Sequence, residues 1–186
     1  MKIDKDKFLF IYQESEFKPL DDLAKAGLTD MLGKFESDED MSDPRWISYA
    51  LATTFHECAG KWQPIEEFNK GKGRSYGVPD KVTGQVYYGR GWVQLTWKDN
   101  YAMFSKICGA DLLNKPQLAL QPDIAYRILS YGMRNGTFTG VGLKKYFNDE
   151  ATDSLNARRI INGTDCAELI AGYYDKFMHI LSGCKI

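Results

Sequence analysis

Residues 42–60 impose the strongest constraint on what this chain can fold into. Ser42-Asp43-Pro44 has the form of a helix start, with Asp43 as cap and Pro44 in the first turn. Ile47, Ala50, Leu51 and Thr54 then recur at helical spacing beside Trp46, Tyr49 and Phe55, and Gly60 is placed to stop the helix. A helix apolar over most of its surface has to be buried, so the rest of the chain must wrap it. With 186 residues, 44% hydrophobic and 13% aromatic, there is ample material for one compact domain spanning 1–186, and disorder is excluded as the main state.

The wrapping material reads as further helix. Helical segments are expected at 98–108, 122–134, 154–161 and 165–181, the last opening with an Asp165-x-x-Glu168 capping box and closing on Gly183. Only residues 85–88 and 93–96 are strand-like, so the fold class is mainly α with at most a small β-hairpin. Residues 69–85 hold four glycines, a proline and alternating charges and read as one long loop, a kind of segment that in compact domains usually serves function. No internal repeat or linker divides the chain.

Charge excludes one class of partner. Lys plus Arg number 24 against 25 Asp plus Glu, a net charge of −1, which lacks the basic excess that phosphate-backbone binding needs. Near the N-terminus the apolar run of MKIDKDKFLFIYQESEF is broken by acids after five residues, too soon for a signal peptide or a spanning helix. The expectation is a monomer made in the cytoplasm, not inserted in a membrane, that leaves its cell by some route other than a cleaved leader. Cys58, Cys108, Cys166 and Cys184 form no CxxC pair and read as reduced thiols.

The chemistry narrows by elimination. His56-Glu57 opens a metalloprotease motif, but the second histidine that motif needs one turn on is Gly60, and His179 is the only other histidine. Neither a zinc-deaminase pattern nor a phosphate cradle is present, since Gly71, Gly73 and Gly77 do not match the spacing, so no metal and no cofactor are expected. Cys58 is two residues from His56, a helical offset that points the two side chains apart, and reads as a packed small hydrophobe.

What remains is Glu57, in the last turn of the buried helix, with Glu66 and Glu67 at the entrance to the long loop. Burial and the negative end of the helix dipole both disfavour a charged carboxylate there, which suits Glu57 to general-acid work. The competing reading is a structural ion pair with Arg45, Arg90, Arg158 or Arg159, and composition alone favours it.

Residues 87–101, Tyr-Tyr-Gly-Arg-Gly-Trp-Val-Gln-Leu-Thr-Trp-Lys-Asp-Asn-Tyr, tip that balance. They closely resemble the YYGRGxxQLTxxxNY signature of glycoside hydrolase family 19. Residues 52–57 with Ala59-Gly60, 113–124 and 157–163 fall in the family's order, so the resemblance spans roughly 40 to 180 and is closest to the compact bacterial and phage branch that includes endolysins.

The resemblance implies a lysozyme-like, two-lobed helical fold, a sugar-polymer cleft between the lobes and an inverting single-displacement mechanism. By position it makes Glu57 the general acid and Thr96 the hydroxyl that helps hold the attacking water, with Gln94, Asn100 and Asn162 lining the sugar sites. Thr96 has a second available role, capping the next helix with Asp99, and Arg90 is read as paired to a carboxylate rather than to sugar.

Two departures from the family pattern matter. Plant members carry the second carboxylate well down the loop, where this chain has only Asp80; the compact branch places it in Ile65-Glu66-Glu67, which makes Glu67 the base and Glu66 the alternative. Thr164 replaces a usual glycine after Asn162-Gly163, and no arginine opens the last helix. The expected substrate is peptidoglycan, reached in the periplasm through a separate phage pore protein, with chitin as the alternative polysaccharide and a non-catalytic glycan-binding module as the alternative from another class.

Overall fold

A computed structural model describes residues 1–184. They divide into two compact units, one formed by Met1–Trp62 together with the chain from Ser130 onward, the other by Gln63–Leu129.

The first unit is helical. It contains α1 (Lys5–Glu14), α2 (Asp22–Ser37) and α3 (Pro44–Glu57). Each starts at an aspartate whose carboxylate accepts a first-turn N–H: Asp4 from Lys7, Asp21 from Ala24 and Asp43 from Arg45. Along α3 every residue from Ile47 to Thr54 is buried, each fully buried branched side chain contributing roughly 1.5–3 kcal/mol. The partner that buries it is α6 (Ala167–Gly183). An aromatic cluster seals one end, with Phe17 4.6 Å from Phe177 and Phe55 4.8 Å from Tyr173 between ring centres.

The second unit holds little regular structure. Its sheet is two residues per strand, β1 (Ile65–Glu66) antiparallel to β2 (Arg90–Gly91), with Glu66 opposite Arg90 and Ile65 opposite Gly91. Between them the chain runs through turns, and after them come α4 (Lys98–Cys108) and the start of α5 (Pro122–Asn135), which carries the chain back into the first unit. Trp92, Leu95, Tyr101, Phe104, Leu112 and Ala119 form its core.

Several sequence expectations need correction. The strand-like runs at 85–88 and 93–96 form no strand; their residues are used for packing, and pairing falls on Arg90-Gly91, with an isolated bridge from Arg90 to Leu95. The helix expected at 154–161 is a five-residue 3-10 turn, Asn156–Ile160. The last helix does not use the Asp165–Glu168 box: its cap is Cys166 at φ 57 with no side-chain bond, and Gly183 is its last residue rather than its cap. The two N-terminal helices had no counterpart in the sequence reading, although Leu28, Met31, Leu32 and Phe35 keep helical spacing and are buried.

Candidate active site

The candidate glutamates lie in both units, Glu57 in the first and Glu66 and Glu67 in the second. In the first unit, α3 ends at Glu57 because the chain turns left-handed at Ala59 (φ 52) and Gly60 (φ 69), and the Gly60 N–H closes onto the Phe55 carbonyl at 2.9 Å. A Cβ at position 60 would meet the Phe55 ring at 2.9 Å, so this turn needs glycine twice over.

Glu57 is thereby fixed in the final turn with its side chain 16% exposed. Of the four arginines that could neutralise it, the structure selects Arg158, 3% exposed, whose Nη1 donates to Glu57 Oε1 at 2.8 Å while its Nε donates to the Asp165 carbonyl at 2.9 Å. Arg45 instead grips Asp43 at 2.6 Å and Arg159 is exposed. Glu57 Oε2 has no hydrogen bond among the described residues, so ion pairing occupies one oxygen and leaves the other for chemistry.

In the second unit, successive residues of the extended chain send side chains to opposite sides, and Glu66 and Glu67 have disjoint partners. Glu66 Oε1 accepts the Tyr88 hydroxyl at 2.5 Å and lies 3.7 Å from Arg90 Nε, and Oε2 takes Lys70 Nζ at 3.0 Å. The Tyr88 hydrogen bond first, then Lys70, hold this carboxyl below its ordinary range. Among the described residues Glu67 makes no ion pair. Its Oε1 accepts the Tyr76 hydroxyl at 3.0 Å and its Oε2 the Gly89 N–H at 3.1 Å, while its own N–H donates to the Gly89 carbonyl at 2.8 Å.

The third acid near the signature, Asp80, is a loop clasp. It accepts Lys98 Nζ at 2.9 Å and the Thr83 N–H at 2.9 Å, and Lys98 foremost lowers its pKa strongly.

The signature itself turns out to be mostly frame. Arg90, buried, lies 3.6 Å over the Tyr88 ring, donates to the Val86 carbonyl and the Tyr101 hydroxyl at 3.0 Å each, and pairs with a carboxylate, as expected of it, that of Glu66. Gln94 spends both amide hydrogens on the Ile65 and Gly91 carbonyls, each at 3.1 Å, tying the two strands together. A Cβ at Gly89 would stand 2.8 Å from Gln94 Oε1, so a side chain there would push on the Gln94 amide.

Thr96 is half-buried and donates its hydroxyl hydrogen to the Gln94 carbonyl at 2.8 Å. It does not cap α4, whose cap position is Trp97 with no side-chain bond. Asn100 donates to the Thr96 carbonyl at 2.8 Å, so Gln94, Thr96 and Asn100 form one linked series in the unit that holds Glu67. Asn162 is exposed, in the first unit, just before α6. Sequence reasoning missed Tyr76, which no pattern distinguishes within the glycine-rich loop, and the half-exposed Trp97 inside the signature.

Among the described residues no three of His, Cys, Asp and Glu converge as metal ligands, and no helix is long and apolar enough to cross a membrane.

Comparison with known proteins identifies the family. The family 19 glycoside hydrolase model, described as Chitinase class I, matches residues 29–131, more than half of the chain. Chitinase 3 of Oryza sativa subsp. japonica is 34% identical over 89 residues, covering 40% of this chain and 28% of the rice protein. Endochitinase CH5B of Phaseolus vulgaris is 54% identical over 88 residues, covering 40% and 27%. The chain thus matches under a third of the length of these relatives. Among solved structures, chitinase C from Streptomyces griseus HUT6037 shares the fold with a TM-score of 0.62 at 23% identity, covering 97% of this chain and 76% of that one. A second bacterial family 19 chitinase gives 0.64 at 23% identity, covering 96% and 94%.

Proposed function

The chain belongs to glycoside hydrolase family 19, and on that premise we propose that it hydrolyses β-1,4 bonds of an N-acetylhexosamine polymer, bacterial peptidoglycan, with inversion at the anomeric carbon. Glu57 is the general acid. Arg158 holds its Oε1, so the proton delivered to the glycosidic oxygen rides on Oε2. Glu67 is the base and takes a proton from the water whose oxygen bonds to the anomeric carbon as the glycosidic bond breaks. The Thr96 hydrogen is committed to Gln94, so its oxygen serves that water as an acceptor. Gln94 positions the strands, and Asn100 and Asn162 are the polar groups left for sugar.

The observation that carries this reading is the state of the three acids between Ile65 and the signature, Glu66, Glu67 and Asp80. Among the described residues Glu66 and Asp80 are consumed by ion pairs and Glu67 makes none. Peptidoglycan is preferred over chitin because the motifs resemble the compact layout of phage lysis enzymes. The names of the relatives, all chitinases, favour the second reading, chitin. On the first reading the enzyme works as a monomer on the cell wall, having been made in the cytoplasm.

Mass spectrometry of products from purified peptidoglycan and from chitin oligomers tests the proposal. Muropeptides with a newly formed reducing end identify both polymer and bond. Release from chitin alone makes the protein a chitinase, and turnover of neither makes it a glycan-binding module. Unchanged rates in a chelator are expected.

A further inference from the structure

The two oxygens of Glu67 are held by unlike partners. Oε2 takes the Gly89 N–H, a donor fixed to the same residue by the return bond from the Glu67 N–H to the Gly89 carbonyl. Among the described residues Oε1 takes only the Tyr76 hydroxyl, at 3.0 Å. Without that hydroxyl the carboxylate would pivot about its bond to Cγ, since one hydrogen bond to one oxygen leaves the plane of the group free to turn.

The Tyr76 ring is itself supported. Trp97 stands edge-on to it, 5.2 Å between ring centres at 77°, the arrangement aromatic pairs prefer. Trp97 adopts φ 77, a region L side chains rarely occupy. The backbone keeps it there: the Trp97 N–H donates to the Tyr87 carbonyl at 2.9 Å and the Tyr101 N–H to the Trp97 carbonyl at 3.1 Å. A strained tryptophan is thus kept in a half-exposed place where its ring contact is the tyrosine that holds Glu67.

We propose that Tyr76 is a positioning residue for the general base, its hydroxyl fixing the plane of the Glu67 carboxylate and Trp97 holding its ring in place. The inference rests on the reading of Glu67 as the base. Tyr76 exchanges no proton: water gives its proton to Glu67, Glu57 gives its own to the leaving oxygen, and the phenol stays neutral throughout. Burial and the neighbouring Glu67 both push its pKa up, which keeps it a donor across the neutral range.

The experiment compares wild type, Tyr76→Phe, Glu67→Gln and the double variant, using the full chain on soluble peptidoglycan fragments, or on chitin hexamer if wild type turns over only that. Tyr76→Phe keeps the ring and its contact with Trp97, so the unfolding midpoint should not move. The expected result is a fall in kcat of about tenfold to a hundredfold with KM within about twofold, the signature of a misoriented catalytic group. On the Glu67→Gln background the same change should cost less than about twofold, because its target is gone. A wild-type kcat in Tyr76→Phe beside an inactive Glu67→Gln overturns the role of Tyr76 and leaves the base in place. Near-full activity of Glu67→Gln overturns the base reading and this inference with it. An equal loss on both backgrounds, or a rise in KM at constant kcat, places the hydroxyl elsewhere in the reaction and also overturns it.

Discussion

Glu57 and Glu67 are held by opposite means. Glu57 rides on a helix whose every residue from Ile47 to Thr54 is buried, and packing places it so firmly that one polar partner, Arg158, is enough. Glu67 sits just past a two-residue strand at the mouth of a loop, and hydrogen bonds from Tyr76 and Gly89 do what packing does for Glu57. A loop-mounted group needs a polar frame. That is why Arg90, Gln94 and Tyr101, polar residues of the signature that look catalytic, spend hydrogen bonds on backbone carbonyls and, from Arg90 to Tyr101, on one another.

The largest expected effect tests the helix-mounted half. Glu57→Gln keeps shape and loses the proton, so the rate should fall at least about a hundredfold, and as far as about ten thousandfold, with the fold intact. Near-wild-type turnover would leave Glu57 as half of an ion pair and nothing more.

The next effect is on stability. In Arg158→Met the Glu57 carboxylate, 16% exposed, loses its only partner among the described residues, and the Asp165 carbonyl loses a donor. Breaking such a pair from one side costs about 3 kcal/mol, seen as a lowered midpoint in urea. Adding Glu57→Gln should restore part of that, since the stranded charge goes with it. If the single variant is as stable as wild type, Glu57 owes nothing to its arginine.

The same contrast explains what the sequence made legible. α3 was readable from Asp43-Pro44 and its apolar run, and α4 from residues 98–108, because helix signals are local. The pairing of Ile65-Glu66 with Arg90-Gly91 was not, because a two-residue strand has no period and its partner lies across a loop of more than twenty residues. At the site, the motif order proposes Glu57 as the acid and leaves the base between two neighbours. It could not assign Arg158 over three other arginines or find Tyr76, since both choices depend on which side chains folding brings together.

Two glycines compare the regions directly. Gly60 (φ 69) stops α3 and Gly91 (φ 86) ends β2, where a Cβ would stand 3.0 Å from the Ala119 carbonyl. Alanine at either should cost about 1–3 kcal/mol in backbone strain. The consequences for rate should differ. Gly91→Ala moves a carbonyl that Gln94 uses to hold the strands beside Glu67, so kcat should fall several-fold at temperatures where the variant is folded. Gly60→Ala presses on the Phe55 ring, and kcat should stay within about twofold while stability drops. Equal losses of kcat would mean that the two carboxylates are not positioned by different means.

The smallest effect separates the adjacent acids. Glu66 is held by Tyr88, Lys70 and Arg90, with its side chain about one-third exposed, so Glu66→Gln should cost at most about 1 kcal/mol at pH 7 after solvent screening. Its folded pKa is lowered from 4.5, so the carboxylate's contribution is fully present above that value and is lost as pH falls through the lower folded one. Urea midpoints of wild type and Glu66→Gln should therefore differ at pH 7 and pH 5.5 and converge towards pH 3. The rate at pH 7 should stay within about twofold, because this group frames Arg90 and meets no water or sugar in the reaction. A hundredfold loss of rate at unchanged stability would reverse the assignment: Glu66 would be the base, and the hydrogen bonds from Tyr76 and Gly89 would belong to the loop's architecture instead of to the chemistry.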